Sequence, residues 1–428
     1  MHMENETITP RTVAIVGAGQ AGLLLGCGLL DKGYRVTIVT NRTPEDVWSG
    51  RVMSSQFIFD PALQIERDLG LNQWEADCPR TEGIGFSIPA PDGSGTQALH
   101  WHARLEAYGQ SVDQRVKMPG WMKEFERRGG ELRYDDVGVD QLETLAAEYE
   151  LVLLAGGKGE IVNLLGRDDS RSPVRQPMRQ LALSYVTVMK RTDYYECVNF
   201  NLIPGVGEYF VFPALTTDGA DGTKACDIMV FEGVPGGPMD CWGDAKTPEQ
   251  HLETSLNILK TFLPWEYERS RDCQLTDDNG RIAGRITPTV RNAVLTLPSG
   301  RKVLGLGDAV LVNDPITGQG SNNATKAAKH YLDAILAHDA SAFDEAWMRQ
   351  TFDDLYNGYA EKVVRWTNSL LFPPPEHIIK LLGAAQELPA VASRIANGFN
   401  DPRDYANYWF TPEDTDCLIN AEAQKLAA

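Results

Sequence analysis

A glycine-rich turn between a short apolar strand and a helix constrains this chain more than any other feature. The run Val13–Val16 predicts a buried parallel strand, and a Gly-x-Gly-x-x-Gly turn follows it directly. In such a turn the first glycine permits a tight bend, the second lets the backbone approach a pyrophosphate, and the third lets strand and helix pack closely. Because the first N–H groups of the following helix also favour a phosphate, the sequence predicts a dinucleotide-binding βαβ unit. Its predicted cofactor contacts are Gly17, Gly19, Gln20, Ala21 and Gly22.

The second strand of this unit ends without the carboxylate that usually binds the ribose of the cofactor. Gly33 follows the helix, Arg35–Val39 is a second apolar strand, and Asn41 and Arg42 come next. An Asp or Glu is expected about 20 residues after the glycine motif. Since none is present, we expect Asn41 and Arg42 to contact the adenosine end of the cofactor. An exposed loop arginine is the alternative for Arg42.

Size, charge and cysteine content limit the class of protein. With 428 residues the chain is longer than one compact core usually holds, so two or three subdomains are expected. A net charge of −19 argues against nucleic-acid binding, and no apolar run approaches the ~20 residues of a membrane span. Seven scattered cysteines without a Cys-x-x-Cys pair favour free thiols in the cytoplasm. The pair His100 and His102 lacks a third ligand, so we predict no metal site.

The order of predicted elements divides the remaining chain into three regions. Apolar strands typical of a parallel core recur at Leu151–Ala155, which leads into Gly156, and at Val303–Leu306, which leads into Gly307 and Asp308. Between them, β-rich stretches separated by Pro and Gly predict an antiparallel sheet. Helical patterns dominate from Phe343 onwards, beginning with a long helical segment from Phe343 to Leu371.

A second glycine-rich turn follows the late parallel strand. It reads Asp314-Pro-Ile-Thr-Gly-Gln-Gly320 and precedes a helix that begins at Ser321. Glycines in such a turn let backbone amides face a ligand. The N-terminus of the helix can then stabilise an electron-rich ring or a developing anion.

The motifs of this chain, taken in order, resemble those of one flavoenzyme family. The first glycine turn combined with Gly305-x-Gly-Asp308 resembles the glutathione-reductase-type FAD fold. The fuller set resembles the oxygenase subunit of styrene and indole monooxygenases, from about residue 12 to about residue 410. The matching motifs are Ser111-Val-Asp-Gln-Arg115, Arg127-Arg-Gly-Gly130, Gly305-Leu-Gly-Asp308, Asp314-Pro-x-x-Gly-Gln-Gly320 and Arg365-Trp-Thr-Asn368.

The resemblance implies a two-component flavin monooxygenase. A separate NADH-dependent flavin reductase would supply FADH₂, which would react with O₂ to a C4a-hydroperoxyflavin. That species would epoxidise a small apolar alkene or aromatic such as styrene or indole, so the chemistry belongs to the cofactor. A homodimer is an expectation from the family alone.

The resemblance also implies roles for particular residues. On the substrate side, where the family carries an Asn and this chain departs from it, the candidates are Gln56 and Phe57. The cofactor-binding residues that it implies are Arg115, Gly156, Asp308, Pro315, Gly318, Gln319, Gly320, Ser321 and Asn322.

The predicted fold is α/β with three parts. A Rossmann-like FAD-binding domain comprises residues 1–80, 110–175 and 285–342. An inserted antiparallel β-sheet domain for substrate binding comprises residues 81–109 and 176–284, and residues 343–428 form a helical C-terminal region.

Three other functions remain open. A single-component NAD(P)H-dependent hydroxylase would carry an Asp-Gly motif after the mid-chain strand, where this chain reads Ala155-Gly-Gly-Lys-Gly159. A flavin-dependent halogenase would carry a Trp-x-Trp-x-Ile-Pro motif, which this chain lacks. A flavin-binding protein without monooxygenase activity is the third alternative.

Overall fold

A computed structural model describes residues 10–156 and 159–427 of the chain, which form two large sheets and a set of C-terminal helices. The strands are β1 Thr12–Val16, β2 Arg35–Thr40, β3 Phe57–Ile58, β4 Thr81–Pro89, β5 Gln97–Ser111, β6 Glu131–Tyr134, β7 Leu151–Leu154, β8 Gln180–Thr187, β9 Cys197–Ile203, β10 Gly207–Thr217, β11 Thr223–Gly233, β12 Gln274–Leu275, β13 Arg281–Gly284, β14 Thr289–Val290, β15 Val294–Thr296, β16 Lys302–Gly305 and β17 Leu311–Val312. The helices are α1 Gln20–Leu30, α2 Pro44–Trp48, α3 Asp60–Asp68, α4 Gln114–Arg127, α5 Val139–Glu148, α6 Glu160–Asn163, α7 Pro248–Phe262, α8 Pro264–Ser270, α9 Gly320–Ala337, α10 Glu345–Leu355, α11 Glu361–Ser369, α12 Glu376–Glu387, α13 Pro389–Gly398 and α14 Pro412–Ala427.

The first sheet has the strand order β15-β16-β7-β1-β2-β6 and is parallel except for the edge strand β15. Strand β1 is central, with Ile15 opposite Ile38 of β2 on one side and opposite Leu153 of β7 on the other. All residues of β1 and β7 are buried, as continuous apolar runs in a covered parallel sheet require. The predicted Rossmann-like core is therefore confirmed. It brings the carboxyl ends of β1, β7 and β16 to one edge of the sheet, where open α/β sheets bind ligands.

The second sheet has nine strands, in the order β12-β8-β11-β10-β9-β4-β5-β3, and β13 also pairs with β8. Its strands are antiparallel apart from the β4–β9 pair. The two strands of that pair come from separate segments of the chain, with β6 and β7 of the first sheet between them in sequence. The strands of the first sheet fall within the residues predicted for the FAD-binding domain, whereas β3 joins the second sheet. The domain bounds themselves stay a prediction.

The C-terminal region covers one face of the second sheet. The predicted helix from Phe343 to Leu371 is α10 and α11, joined by a π-helical turn at Tyr356–Ala360. Helices α12 and α13 pack against β5 and close an apolar cluster around Trp366 and Tyr405. In the described part of the chain, no helix is long and apolar enough to cross a membrane.

Candidate functional site

The first glycine turn has the geometry of a phosphate cradle. Gly17 has a φ of +119°, and a Cβ atom there would lie 2.7 Å from the backbone nitrogen of Gly156. A Cβ atom at Gly22 would lie 2.2 Å from the carbonyl oxygen of Gly17. Gly19, by contrast, faces open space and precedes α1 without a side-chain cap. The first amides of α1 are therefore not occupied by a capping side chain, and the turn fits the pyrophosphate of FAD.

Strand β16 and helix α9 both lie against this turn. A Cβ atom at Gly307 would lie 3.0 Å from the Cβ of Ala21, so the exit of β16 touches the first turn of α1. The buried side chain of Gln20 donates to the Thr325 hydroxyl of α9 at 2.9 Å and to Glu66 at 2.6 Å. The N-termini of α1 and α9 therefore lie side by side, which the predicted site requires.

Asn322 fixes the second glycine turn onto the second sheet. Its Oδ1 accepts from the backbone N–H of Phe59 at 2.9 Å. Its Nδ2 donates to the carbonyl oxygens of Phe57 and Gly318, each at 2.9 Å. Gly318 has a φ of +63°, which a glycine adopts without strain. The side chain of Asn322 therefore acts as a clamp between β3 and the turn.

The start of α9 carries free backbone donors. Gly320 is its first residue, Ser321 is half-buried, and no side chain caps this end of the helix. Gln319 is buried and donates through Nε2 to the carbonyl oxygen of Phe399 at 3.0 Å. This end of the helix therefore presents unoccupied amides, which suits an electron-rich ring.

A small apolar pocket lies where the turn meets β3. The ring of Phe57 lies 4.8 Å from that of Phe59 and 5.4 Å from that of Phe212, measured between centroids. Pro315 and Gly318 line the same pocket. The predicted substrate-side residue Phe57 and the predicted cofactor-side turn thus face one space, which aromatic side chains shield from water.

Gln56 lies behind this pocket and does not line it. It is 6% exposed, with a φ of +33°, and only two other non-glycine residues of the described chain have a positive φ. Its amide donates to the hydroxyl of Tyr185, which in turn donates to the carbonyl oxygen of Ser54 at 2.8 Å. Burial raises the pKa of Tyr185 well above its ordinary value, so this hydroxyl stays protonated. Strained backbone of this kind is characteristic of functional sites.

The side chain of Arg115 forms hydrogen bonds and ion pairs with other residues of the protein. It is 2% exposed, and its guanidinium donates to Asp113 at 2.9 Å, to Asp277 at 3.0 Å and to the Thr216 hydroxyl at 3.1 Å. These contacts join α4 to β10 and to the loop after β12. The predicted contact of Arg115 with FAD stays a prediction, and the visible role of its side chain is to hold α4 against the second sheet.

The predicted adenosine-side residues lie at the surface. Asn41 donates to Asp136 at 2.8 Å, and Arg42 points one nitrogen at the sulfur of Met53 at 3.3 Å. Both side chains are exposed, so both interpretations of Arg42 stay open. Asp308 is exposed just beyond the carboxyl end of β16, as its predicted role requires.

Sequence patterns did not reveal the aromatic walls of the site or a buried acidic group beside it. Glu208, Glu232 and Asp314 are each at most 3% exposed, and Arg179 pairs with Glu208 at 2.7 Å. The available signal was a glutamate directly beside each of the apolar runs Tyr209–Phe212 and Ile228–Phe231.

Comparison with known proteins finds similarity to styrene monooxygenases. Residues 157–269 match the family model described as "Styrene monooxygenase A putative substrate binding domain". The chain is 28% identical to styrene monooxygenase StyA of Pseudomonas fluorescens, covering 98% of this chain and 100% of that protein. It is also 28% identical to StyA of Pseudomonas sp, over 94% and 96% of the two chains. These matches support the resemblance to styrene monooxygenases. They also support the prediction that the chain is a FAD-dependent monooxygenase.

Solved structures support the fold of this styrene monooxygenase relative. A triple mutant of the flavin-dependent brominase Bmp2 superposes with a TM-score of 0.66 at 16% identity, covering 97% of this chain and 99% of that one. A flavoprotein/dehydrogenase from Cytophaga hutchinsonii also gives 0.66, at 13% identity and the same coverage. PqsL of P. aeruginosa in complex with 2-aminobenzoylacetate gives 0.63, at 15% identity over 90% and 99% of the chains.

Proposed function

We propose that this chain is the oxygenase component of a two-component monooxygenase. It takes FADH₂ from a separate NADH-dependent reductase and epoxidises a small apolar alkene or aromatic such as styrene or indole. The reaction balances as alkene, O₂ and FADH₂ giving epoxide, water and FAD. The observation that supports the proposal most directly is the Asn322 clamp, because it holds the glycine turn before α9 against a pocket walled by Phe57, Phe59 and Phe212.

FAD supplies the chemistry with oxygen, and the protein supplies binding, orientation and a dry environment. The amides around Gly17 and Gly19 would hold its pyrophosphate, and the turn from Pro315 to Gly320 would face its ring. The phenylalanines of the small pocket exclude water from the reacting atoms, which suppresses unproductive loss of the oxidant. They also present an apolar surface to the alkene. Gln56 and Tyr185 hold the backbone before Phe57 in its strained conformation.

The sequence supports reduction of FAD by a separate protein. The chain contains no second Gly-x-Gly-x-x-Gly turn for a nicotinamide cofactor, and residues 155–159 lack the Asp-Gly motif of self-sufficient hydroxylases. Gly157 and Lys158 lie outside the described residues. The proposal therefore assigns NADH to the reductase.

The test separates the two sources of electrons. Purified protein is loaded with FADH₂ under anaerobic conditions and mixed with isotopically labelled dioxygen and styrene. We expect labelled styrene oxide in that reaction and none when the protein receives FAD and NAD(P)H without a reductase. Product with NAD(P)H alone would instead favour the single-component hydroxylase. Failure of a panel of styrene, indole and thioether substrates to react would favour a non-catalytic flavoprotein.

A further inference from the structure

A large cavity lies next to the small pocket. Its volume is about 820 Å³, which is in the size range of sites that enclose a drug-sized ligand. The small pocket measures about 30 Å³, a volume that holds roughly two water molecules. The small pocket can therefore take only the reacting end of a substrate, and the body of the molecule needs the neighbouring space.

The two spaces meet beside the second glycine turn. The residues that line both are Ile84, Phe200, Ile316 and Phe399. Ile316 belongs to the turn itself, which is predicted to face the flavin ring. Because all four side chains are apolar, a molecule that extends from one space into the other stays in contact with apolar atoms.

The large cavity is separate from the predicted binding cleft for the rest of the flavin. Among the described residues, its lining contains none before Ile84 and none between Arg285 and Ile316. The predicted pyrophosphate and ribityl contacts, such as Gly19 and Asp308, are therefore outside it. The cavity meets the predicted flavin site at the ring end alone, so a molecule inside it does not occupy the space of the pyrophosphate.

The mouth of the large cavity is apolar. Phe372 and Ile379 line it and are 53% and 45% exposed, although both are large hydrophobic residues. The segment Pro373–Pro375 lies between them in sequence and also lines the cavity. Exposed apolar surface at the rim of a cavity is characteristic of a ligand-binding site, here the entrance for an apolar molecule.

The cationic side chains in the lining already have partners. Arg179 donates to Glu208 at 2.7 and 2.9 Å, and Arg285 donates to Asp240 at 2.7 Å. The Nε2 of His377 lies 3.1 Å from a backbone carbonyl oxygen. A carboxylate that enters this cavity would lose its hydration without gaining a free cation, which is costly. The cavity therefore favours uncharged molecules.

We propose that the large cavity is both the entrance and the binding site of the substrate, an uncharged apolar alkene larger than a single ring. The substrate enters past Phe372 and Ile379, through an opening that shares no residue with the flavin cleft, and its reacting end reaches the small pocket. Oxidation of this alkene rests on the proposed function, whereas its binding in the cavity does not.

Binding of two probes to the full-length protein without reductant tests the chemical class. The probes are 2-vinylnaphthalene, which is neutral and apolar, and 6-vinyl-2-naphthoate, which adds a carboxylate. We expect 2-vinylnaphthalene to bind more tightly than styrene, and the naphthoate to bind at least about tenfold more weakly than 2-vinylnaphthalene. Equal affinity for the two naphthalene probes would overturn the proposal.

A charge at the rim tests the entrance. Phe372→Asp should slow the association of 2-vinylnaphthalene at least about threefold, measured by probe fluorescence after rapid mixing, because an apolar molecule must then pass a hydrated carboxylate. Leu164→Asp is the matched control, since Leu164 is 46% exposed and does not line the cavity. It should leave the association rate unchanged. Equal rates for the two variants would contradict the proposed entrance.

A larger side chain inside the cavity tests the binding site. Leu382 lines the cavity and is 5% exposed. Leu382→Trp should weaken binding of 2-vinylnaphthalene about fivefold by filling part of the space, with the fold checked by circular dichroism. A folded variant with wild-type affinity for the probe would place the binding site elsewhere.

The separate openings predict that FAD does not block the substrate. Saturating oxidised FAD should leave the association rate of 2-vinylnaphthalene within about twofold, because the cavity meets the flavin site at the ring end alone. Association slowed more than about tenfold by FAD would mean a shared entrance.

The two proposals can fail separately. Styrene oxide formed from FADH₂ without the expected differences between probes and variants would overturn the cavity assignment alone. The expected binding pattern without any oxygenation would overturn the proposed function alone.

Discussion

Glu232 is a buried carboxyl group whose surroundings contain more acids than bases. It is fully buried, and neither of its oxygens has a donor among the described residues. Asp314 and Glu208 lie near it, and the one neighbouring cation, Arg179, is held by Glu208. Burial, together with Asp314, raises the pKa of Glu232 well above its ordinary value. The protonated form of Glu232 is therefore favoured, because it avoids an uncompensated buried charge beside Asp314.

This arrangement predicts a particular dependence of stability on pH. The folded state binds the proton of Glu232 more tightly than the unfolded state, where the pKa is about 4.3. The contribution of Glu232 is therefore fully present below that value and is lost as pH rises toward the folded-state pKa, by up to about 1.4 kcal/mol per pH unit. Urea unfolding between about pH 5 and pH 9 should show this decline in the wild type. Glu232→Gln keeps a donor but cannot ionise, so it should flatten the decline.

Glu413→Gln is the matched control, because Glu413 is exposed on α14. It should leave the pH profile unchanged. An identical profile for Glu232→Gln and the wild type would mean that Glu232 is not the protonated member of the group.

Substitutions at two glycines of the first turn should separate effects on folding from effects on cofactor binding. The Cβ atom added by Gly19→Ala would have no other atom of the protein within 4 Å, and the φ of −98° at this position suits alanine. We expect this variant to fold like the wild type but to bind FAD at least about tenfold more weakly, because the methyl group occupies the approach of the pyrophosphate. Titration of FAD by fluorescence and thermal unfolding give the two readouts.

Gly22→Ala provides the contrast. Its Cβ would lie 2.2 Å from the Gly17 carbonyl oxygen, so this variant should lose both stability and FAD binding. Normal FAD affinity in Gly19→Ala would place the pyrophosphate elsewhere.

At the scale of elements, the local units could be predicted from sequence and their long-range partners could not. Strand β1, its turn and α1 are adjacent in the chain, and the signals for each are local. The Asn322 clamp, by contrast, joins residues 263 positions apart at Phe59, and no local pattern encodes such a pair. The long predicted helix from Phe343 is similarly correct in extent, but its π-helical turn depends on tertiary packing.

The clamp itself gives a prediction at this scale. Asn322→Ala removes two hydrogen bonds to the β3 segment and one to the glycine turn, so we expect a loss of about 2–3 kcal/mol in unfolding free energy and weaker FAD binding. Asn323→Ala is the matched control on the same helix, because its buried amide has no partner among the described residues. It should cost less than about 1 kcal/mol. Equal losses in the two variants, measured by urea unfolding, would contradict the assignment of a clamp.

At the scale of the whole molecule, the arrangement of parallel core, large sheet and helical cover follows from the order of patterns along the chain. The cavity of about 820 Å³ does not, because its walls come from strands β4, β5 and β9 and from helices α11 to α13. Which aromatic residues face one another across that space depends on strand register and helix packing. The cofactor motifs are therefore visible in sequence, and the size and polarity of this cavity are visible only in the fold.

Under the proposed function, the charge of the whole molecule bears on how reduced flavin would reach it. FADH₂ carries a pyrophosphate and meets a protein with a net charge of −19, so long-range repulsion slows the encounter. Raising ionic strength from about 0.01 M to about 0.15 M shortens the screening length from roughly 30 Å to roughly 8 Å. We therefore expect the rate constant for FADH₂ binding, measured anaerobically by stopped flow, to rise severalfold over this range.

A variant with reduced negative charge isolates this effect from salt effects on the site. Glu253→Lys with Glu413→Lys changes two exposed acids with no hydrogen bond or ion pair among the described residues, and each substitution adds two positive charges. At low salt the double variant should bind FADH₂ faster than the wild type, and at high salt the two rates should converge. A wild-type rate that falls with salt would show instead that the local field of the two helix N-termini outweighs the charge of the surface. Delivery of the flavin would then depend on attraction at the cleft and not on handover close to a reductase.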